Sequence, residues 1–151
     1  MRLSSILLYP NNILKKASLP VDDFEAAAFR ELVGNLKATL LEKENGVGLA
    51  APQIGVNLRV FVVRDDKGQV IILANPRIMK KSVQTKYSEE GCLSFPGRHE
   101  LVRRSMEVIL RFIDESGKVQ IKTFNGWMAR VVQHEVDHLD GILFIERMVG
   151  S

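Results

Sequence analysis

The chain has 151 residues, 46% hydrophobic and 26% charged, with 21 Lys and Arg residues against 18 Asp and Glu residues. Its basic residues are scattered among acids and its apolar runs are short, which argues against a dedicated nucleic-acid surface and against a membrane span. A lone cysteine, Cys92, excludes an internal disulfide and points to a reducing compartment or to a thiol kept for chemistry.

The first predicted element is a helix in the N-terminal third of the chain. Asp22 or Asp23 is expected to cap this helix, and the pair Asn45-Gly46 is expected to end it. Between these limits, apolar residues recur at helical spacing and predict one buried face, formed by Phe24, Ala28, Leu32, Leu36 and Leu40.

Two β-hairpins are predicted next. Residues 58–63 are rich in β-branched side chains, and the strand pattern resumes at residues 70–73 after a turn that contains Asp and Gly. Residues 101–112 predict one long strand, which a second turn joins to the alternating apolar and polar residues 119–123.

A second helix is predicted from about Gly126 to Leu139, with Gly141 as its C-terminal stop. The order of helix, antiparallel strands and helix lacks the regular alternation of a doubly wound sheet. No repeat and no Gly-, Ser- or Pro-rich linker divides the sequence. We therefore predict an α+β fold in a single domain over residues 1–151.

The second helix carries the pattern HExxH, from His134 to His138. Residues four apart lie above one another on a helix, so the two imidazoles can point at one metal ion. Glu135 is turned about 100° from His134, where it can act as a general base without binding the metal. The competing interpretation is a chance occurrence of the pattern on an amphipathic helix.

Two histidines leave a catalytic metal ion one protein ligand short of the usual three. Cys92 is the only thiol, and it lies in the Gly- and Pro-bounded segment EGCLSFPG. A lone cysteine otherwise behaves as a small buried hydrophobic residue, but together with His134 and His138 it completes a set of three ligands.

A third segment, residues 46–55, has the sequence GVGLAAPQIG. Its glycines permit close approach of the backbone to a ligand, and Gln53 offers an amide donor. The segment has neither the lysine of a phosphate-binding loop nor the spacing of a dinucleotide-binding loop. Its alternative role is a structural loop that follows a helix.

Together, these three segments resemble peptide deformylases. The motifs GxGLAAxQxG, EGCLS and QHExDHLxG occur in the family's order at residues 46–55, 90–94 and 133–141. The resemblance implies an α+β fold in which antiparallel strands pack around the helix with HExxH. It also implies metal-dependent hydrolysis that removes the N-formyl group from the N-terminal formyl-methionine of newly made proteins and releases formate.

The resemblance assigns the metal to Cys92, His134 and His138, and it makes Glu135 the general acid and base. Coordination chemistry alone favours zinc for one thiolate and two imidazoles. The family instead implies one divalent ion that is Fe²⁺ in the cell, with Zn²⁺, Ni²⁺ or Co²⁺ as substitutes.

Contacts to the substrate and to the transition state are also implied. Gln53 and the backbone N–H of Leu93 are expected to stabilise the oxyanion, and the backbone at Gly48 is expected to contact the substrate. Val47 and Val131 are expected to line an apolar slot for the methionine side chain.

Other roles stay open at this point. Glu90 or Asp137 is expected either to accept the second N–H of a ligand histidine or to pair with Arg104 or another cation. Trp127 is expected either in the methionine slot or in the core. The third histidine, His99, has no assigned role.

The implied partners are N-formylmethionyl nascent peptides, in a cytoplasm of bacterial type. Many bacterial members of the family continue into a C-terminal helix associated with ribosome docking, whereas this chain ends at Ser151, so docking through such a helix is not expected. No membrane partner and no dedicated nucleic-acid partner are expected.

Three alternative functions are kept open. An endopeptidase of the zincin type shares HExxH, although it does not account for a cysteine ligand. A related amide hydrolase that acts on another N-acyl group is a closer alternative, which a comparison of formyl and acetyl peptides would separate from a deformylase. A metal- or peptide-binding module without activity is the alternative from a different class.

Overall fold

The computed structural model describes residues 3–151. Two α-helices occur within this range, α1 (Ala27–Glu42) and α2 (Gly126–Leu139). The strands are β1 (Gly48–Ala50), β2 (Val60–Arg64), β3 (Val70–Lys81), β4 (Thr85–Cys92), β5 (Phe95–Ser105), β6 (Glu107–Ile113) and β7 (Val119–Asn125). Short 3₁₀ turns lie at Asn12–Lys15, Ala51–Ile54 and Phe144–Glu146. Neither α-helix combines the length and the apolar character that crossing a bilayer requires.

Five of the strands form one antiparallel sheet in the order β1-β2-β3-β6-β7. The remaining two pair with each other and form a separate unit, the β4–β5 hairpin. Helix α2 packs on one face of the five-stranded sheet, and α1 packs on the other face. The predicted α+β class, with antiparallel strands around the helix that carries HExxH, is confirmed.

Strand β2 shows why both faces of the sheet are covered. Phe61 and Val63 belong to the core beneath α2, whereas Val60 and Val62 belong to the core beneath α1. Because side chains alternate between the two faces of a strand, an unbroken apolar run suits a strand that is buried on both sides. Burial of such side chains contributes about 25 cal/mol per Å² of apolar surface, and it is the main favourable contribution to the free energy of folding.

Helix α1 differs from its prediction at both ends, since it begins at Ala27 and ends at Glu42. The Asp23 carboxylate accepts a hydrogen bond from the backbone N–H of Glu25, which forms a turn ahead of the helix instead of a cap. The buried face shifts accordingly, because Phe29 is buried while Ala28 is exposed. The predicted buried face therefore extends one turn too far toward the N-terminus.

The prediction of one strand over residues 101–112 is wrong. The chain forms β5 and β6 instead, separated by Met106, and these strands belong to different sheets. At the break, the backbone N–H of Ser105 donates to the side-chain oxygen of Gln133 on α2. A run of apolar residues in the sequence does not show where such a break falls, because the break depends on a hydrogen bond to a side chain of α2.

Both predicted hairpins, β2–β3 and β6–β7, are confirmed. Asp65 and Asp114 occupy equivalent places in their turns. Each aspartate side chain accepts hydrogen bonds from the backbone N–H groups two and four residues later. This local bonding is the reason that Asp at the start of a Gly-containing turn is a dependable hairpin signal.

Gly141 ends α2 as predicted and allows close contact with the N-terminal segment. Its φ is +72°, and an added Cβ would lie 2.5 Å from the backbone oxygen of Lys15. Nearby, the backbone N–H of Ser18 donates to the oxygen of Leu139 at 2.7 Å. The C-terminal end of the HExxH helix is therefore held against this segment.

We expect Gly141→Ala to lower the free energy of unfolding by about 3 kcal/mol or more, because left-handed backbone strain and the overlap with Lys15 add together. Gly68→Ala is the matched control, since Gly68 has a φ of +79° with nothing within 4 Å of an added Cβ. That control is expected to cost about 1 kcal/mol. Urea unfolding measures both losses of free energy. Equal losses would show that the overlap between an added Cβ at position 141 and Lys15 has no energetic effect.

Candidate metal centre

Helix α2 brings the two histidines of HExxH to one place. His134 and His138 lie one turn apart, and their ring centroids are separated by 5.1 Å. Every side chain of α2 from Ala129 to Leu139 is buried, because the sheet covers one side of the helix and the β4–β5 hairpin lies on another. The imidazoles therefore have few alternative positions.

The end of β4 supplies the third side chain. The Sγ atom of Cys92 lies 3.3 Å from Nε2 of His138, and the ligand atoms of Cys92, His134 and His138 all lie within 4.8 Å of one another. The hairpin register shifts between Gly91 and Cys92. Such an irregularity re-aims a side chain, and here the thiol meets the two imidazoles.

These three side chains suit a transition-metal cation or zinc. A thiolate and neutral imidazoles are the donors that such ions prefer. Burial lowers the pKa of His134, but hydrogen bonds with Cys92 and Glu90 outweigh burial and raise that pKa to about 10. Burial lowers the pKa of His138 well below its usual value, which keeps this imidazole neutral. The surroundings thus favour one positive charge between the three side chains, which a bound cation would supply.

The buried carboxylate of Glu90 joins β4 to α2. Its Oε1 atom lies 3.0 Å from Nδ1 of His134, and Arg104 donates to both of its oxygens at 2.8 and 2.9 Å. Arg130 of α2 adds a further hydrogen bond at 2.6 Å. With Nδ1 of His134 engaged, Nε2 is the ring nitrogen left for a metal ion. Glu90 thus fills both of the roles that sequence reasoning left as alternatives.

Asp137 takes only the second of those roles. Its carboxylate accepts hydrogen bonds from Arg104 at 2.6 Å and from Arg147 at 2.8 and 3.1 Å. We call the five charged side chains of this cluster the ionic network, and they are Glu90, Arg104, Arg130, Asp137 and Arg147. Burial raises the pKa of Glu90, but the hydrogen bonds with Arg104 and His134 hold it well below its usual range.

Glu135 lies beside the three candidate ligands. It is buried, and its Oε1 atom has no hydrogen-bond partner within the described part of the chain. Burial raises the pKa of Glu135 to about 7, against the opposing effect of His134. A carboxyl group with a pKa near 7 can both accept and donate a proton at neutral pH.

Gln53 is held beside Cys92 by the 3₁₀ turn that follows β1. Its side-chain oxygen accepts a hydrogen bond from the backbone N–H of Ala50 at 2.9 Å. Its Nε2 atom lies 3.1 Å from Oγ of Ser94 and 3.6 Å from Sγ of Cys92. The donor end of the amide therefore faces the candidate centre.

The centre opens into a cavity of about 870 Å³, a size typical of small-ligand sites. Its lining includes the residues predicted to contact substrate, namely Val47, Gly48, Leu93 and Val131. Trp127 also lines the cavity and is 54% exposed, so its alternative role in the core is wrong. His99 is exposed at the same cavity.

Two partners of the site escaped sequence reasoning. Ser94 lies within the EGCLS motif, and its position there was the available signal, although nothing in the sequence shows that it accepts a hydrogen bond from Gln53. Arg130 lies one turn before His134 on α2, and helical spacing was the signal that could have placed it near Glu90.

Fold and site together define an α+β protein with a candidate metal centre on an HExxH helix. The sequence model of the polypeptide deformylase family matches residues 3–151. The chain therefore belongs to the polypeptide deformylase family, whose members are hydrolases. A relative from Pseudothermotoga lettingae, named peptide deformylase, is 43% identical in an alignment that covers 99% of this chain and 85% of the relative.

Solved structures of the same family share the fold. Peptide deformylase from Thermotoga maritima is 33% identical, with a TM-score of 0.92 over 98% of this chain and 99% of that one. The Met-Ala-Ser-bound class I type b peptide deformylase from Acinetobacter baumannii is 34% identical, with a TM-score of 0.89 over 97% of this chain and 99% of that one.

We expect Glu90→Gln to weaken Zn²⁺ binding by about 10- to 100-fold, because the acceptor that orients His134 loses its charge. It should also lower the free energy of unfolding by about 3 kcal/mol, since Arg104 and Arg130 remain buried beside a neutral group. Chelator competition measures the first effect, and urea unfolding measures the second.

Asp137→Asn is the matched control for Glu90→Gln, because it removes a charge from the same ionic network without touching the Nδ1 contact of His134. It should cost a similar stability, while Zn²⁺ affinity stays within about threefold of the wild-type value. An equal loss of Zn²⁺ affinity in both variants would show that Glu90 has no particular role in orienting His134.

Proposed function

We propose that the protein is a peptide deformylase that removes the N-formyl group from the formyl-methionine of nascent peptides, in a cytoplasm of bacterial type. The convergence of Cys92, His134 and His138, at a cavity that Cys92, His134 and Glu135 line, carries this proposal. The Acinetobacter baumannii relative supports it, because the peptide bound there, Met-Ala-Ser, begins with methionine.

We propose that Cys92, His134 and His138 hold one divalent ion, Fe²⁺ in the cell, with Zn²⁺, Ni²⁺ or Co²⁺ as substitutes. An ion bound there supplies Lewis-acid chemistry, which polarises a carbonyl oxygen and lowers the pKa of water. The protein's part is to keep the three side chains converged, through burial of the two imidazoles and through the contact between Glu90 of the ionic network and His134.

Glu135 moves the proton in the proposed reaction. Its carboxylate takes a proton from the attacking water, whose oxygen forms a bond with the formyl carbon. The same carboxyl group then donates the proton to the amine nitrogen as the C–N bond breaks. The products are formate and a peptide with a free α-amino group. Burial suits this role, because it raises the pKa of Glu135 to about 7.

The remaining residues bind and orient the substrate in this proposal. The Nε2–H of Gln53 and the backbone N–H of Leu93 donate to the oxyanion that develops on the formyl oxygen. The backbone at Gly48 contacts the peptide, and Val47 and Val131 line the slot for the methionine side chain. All five residues line the cavity.

The proposal predicts that Glu135→Gln keeps its bound metal but releases formate from formyl-Met-Ala-Ser about 10²- to 10⁴-fold more slowly, because the proton carrier is lost. Metal analysis and a formate assay measure the two quantities. Acetyl-Met-Ala-Ser serves as the control substrate and is expected to remain intact. Wild-type turnover by the variant would overturn the proposed role of Glu135. Hydrolysis of the acetyl peptide by the wild-type protein at a rate similar to that of the formyl peptide would overturn the proposed removal of the formyl group as the specific activity.

Gln53→Ala is expected to reduce kcat by about 10²- to 10³-fold with unchanged metal content, because one donor to the oxyanion is removed. The matched control is Gln133→Ala, which also deletes a buried amide from the interior but bonds Ser105 and Ala129 instead of the site. That control should lose stability while its kcat per bound metal stays unchanged. A similar loss of kcat in both variants would contradict the oxyanion role of Gln53.

A further inference from the structure

Gly48 has a contact that its expected role in substrate binding does not explain. An ideal Cβ at this position would lie 2.6 Å from Oε2 of Glu135, 3.0 Å from its Cδ and 3.1 Å from its Cγ. All three of these nearest atoms belong to one side chain. A Cβ essentially never approaches another heavy atom to within 3.0 Å, so alanine at position 48 and the observed position of Glu135 exclude each other.

The requirement at Gly48 is for space and not for a special backbone conformation. The glycines with positive φ in the described chain include Gly55, Gly68 and Gly141, but Gly48 is not one of them. Gly48 is the first residue of β1 and pairs in regular antiparallel register with Val63. An alanine is therefore compatible with the backbone, and the closest contacts that its Cβ would make are with Glu135.

Glu135 can avoid such an overlap only by rotation of its side chain, because the helix that carries it is held in place. It is 4% exposed, and it lies in the run of α2 residues that are all buried. The helix is fixed on both sides of Glu135, because His134 contacts Glu90 and His138 contacts Cys92. A Cβ at position 48 would therefore displace the carboxylate by side-chain rotation instead of moving the helix.

We infer that the absence of a side chain at position 48 sets the position of the Glu135 carboxylate, which makes Gly48 a positioning residue for the proton carrier. The inference rests on the proposed function for its effect on catalysis, while the steric coupling itself is independent of any activity. Gly48 thereby serves two neighbours: its backbone faces the cavity that would hold the peptide, and its missing Cβ leaves space for the carboxylate.

The steric coupling is tested by thermal unfolding of the metal-loaded wild-type protein, Gly48→Ala, Glu135→Ala and the double variant. Gly48→Ala is expected to lower Tm by about 4 °C or more in the wild-type background. In the Glu135→Ala background the overlapping atoms are gone, so the shift should be less than half as large. Equal shifts in the two backgrounds would overturn the inference.

Gly46→Ala is the matched control for this cycle. It also introduces a tight contact near the site, but the contacted atoms belong to Leu40, at 2.9 Å, and to Lys43, at 3.1 Å. Its Tm shift is therefore expected to be the same with Glu135 and with alanine at position 135. If the shift of Gly46→Ala also depended on Glu135, the coupling would not be specific to Gly48 and the inference would fail.

The catalytic consequence is read from the division between kcat and KM for formyl-Met-Ala-Ser. A displaced carboxylate lowers kcat, so Gly48→Ala is expected to lose about tenfold or more in kcat with KM within about twofold of wild type. A rise in KM with unchanged kcat would instead assign Gly48 to substrate binding alone. If the wild-type protein releases no formate, the proposed function fails, whereas the unfolding cycle still decides the steric coupling.

Discussion

The hydrogen-bonded ion pair between Glu90 and Arg104 is the interaction on which the rest of the site depends. Glu90 lies on the β4–β5 hairpin, which has no strand partner in the five-stranded sheet, and it reaches His134 on α2. Because Arg130 on α2 donates to the same carboxylate, the pair also fastens the hairpin to the helix. Cys92 follows Glu90 by two residues, so the docking of one carboxylate places the thiol as well.

Helix α2 combines the requirements of the core and of the site. Val132, Val136 and Leu139 pack against the sheet, while His134 and His138 face the hairpin. Most polar groups buried on this second face have partners, since an unpaired buried charge costs several kcal/mol. Among the described residues, Oε1 of Glu135 and Nδ1 of His138 are exceptions. The same burial that stabilises the fold therefore changes the proton affinities of the site.

Local patterns predicted the elements whose causes are local. The bounds of α2 and the aspartate turns of both hairpins are confirmed, because caps, turn residues and apolar spacing act over a few residues. The break at Met106 was not predictable in this way, since it depends on a side chain of α2. The three motifs do meet in space, but the choice of Glu90 over Asp137 as the partner of His134 depends on the register of the hairpin.

In the proposed function, one metal ion held by Cys92, His134 and His138 is required for hydrolysis of the formyl group. The most direct test is to strip the protein of metal, restore the ion in steps, and measure bound metal and formate release from formyl-Met-Ala-Ser in the same samples. We expect the rate of formate release to rise in proportion to bound metal and to reach its maximum at about one ion per chain. Full formate release by the metal-free protein would contradict this expectation.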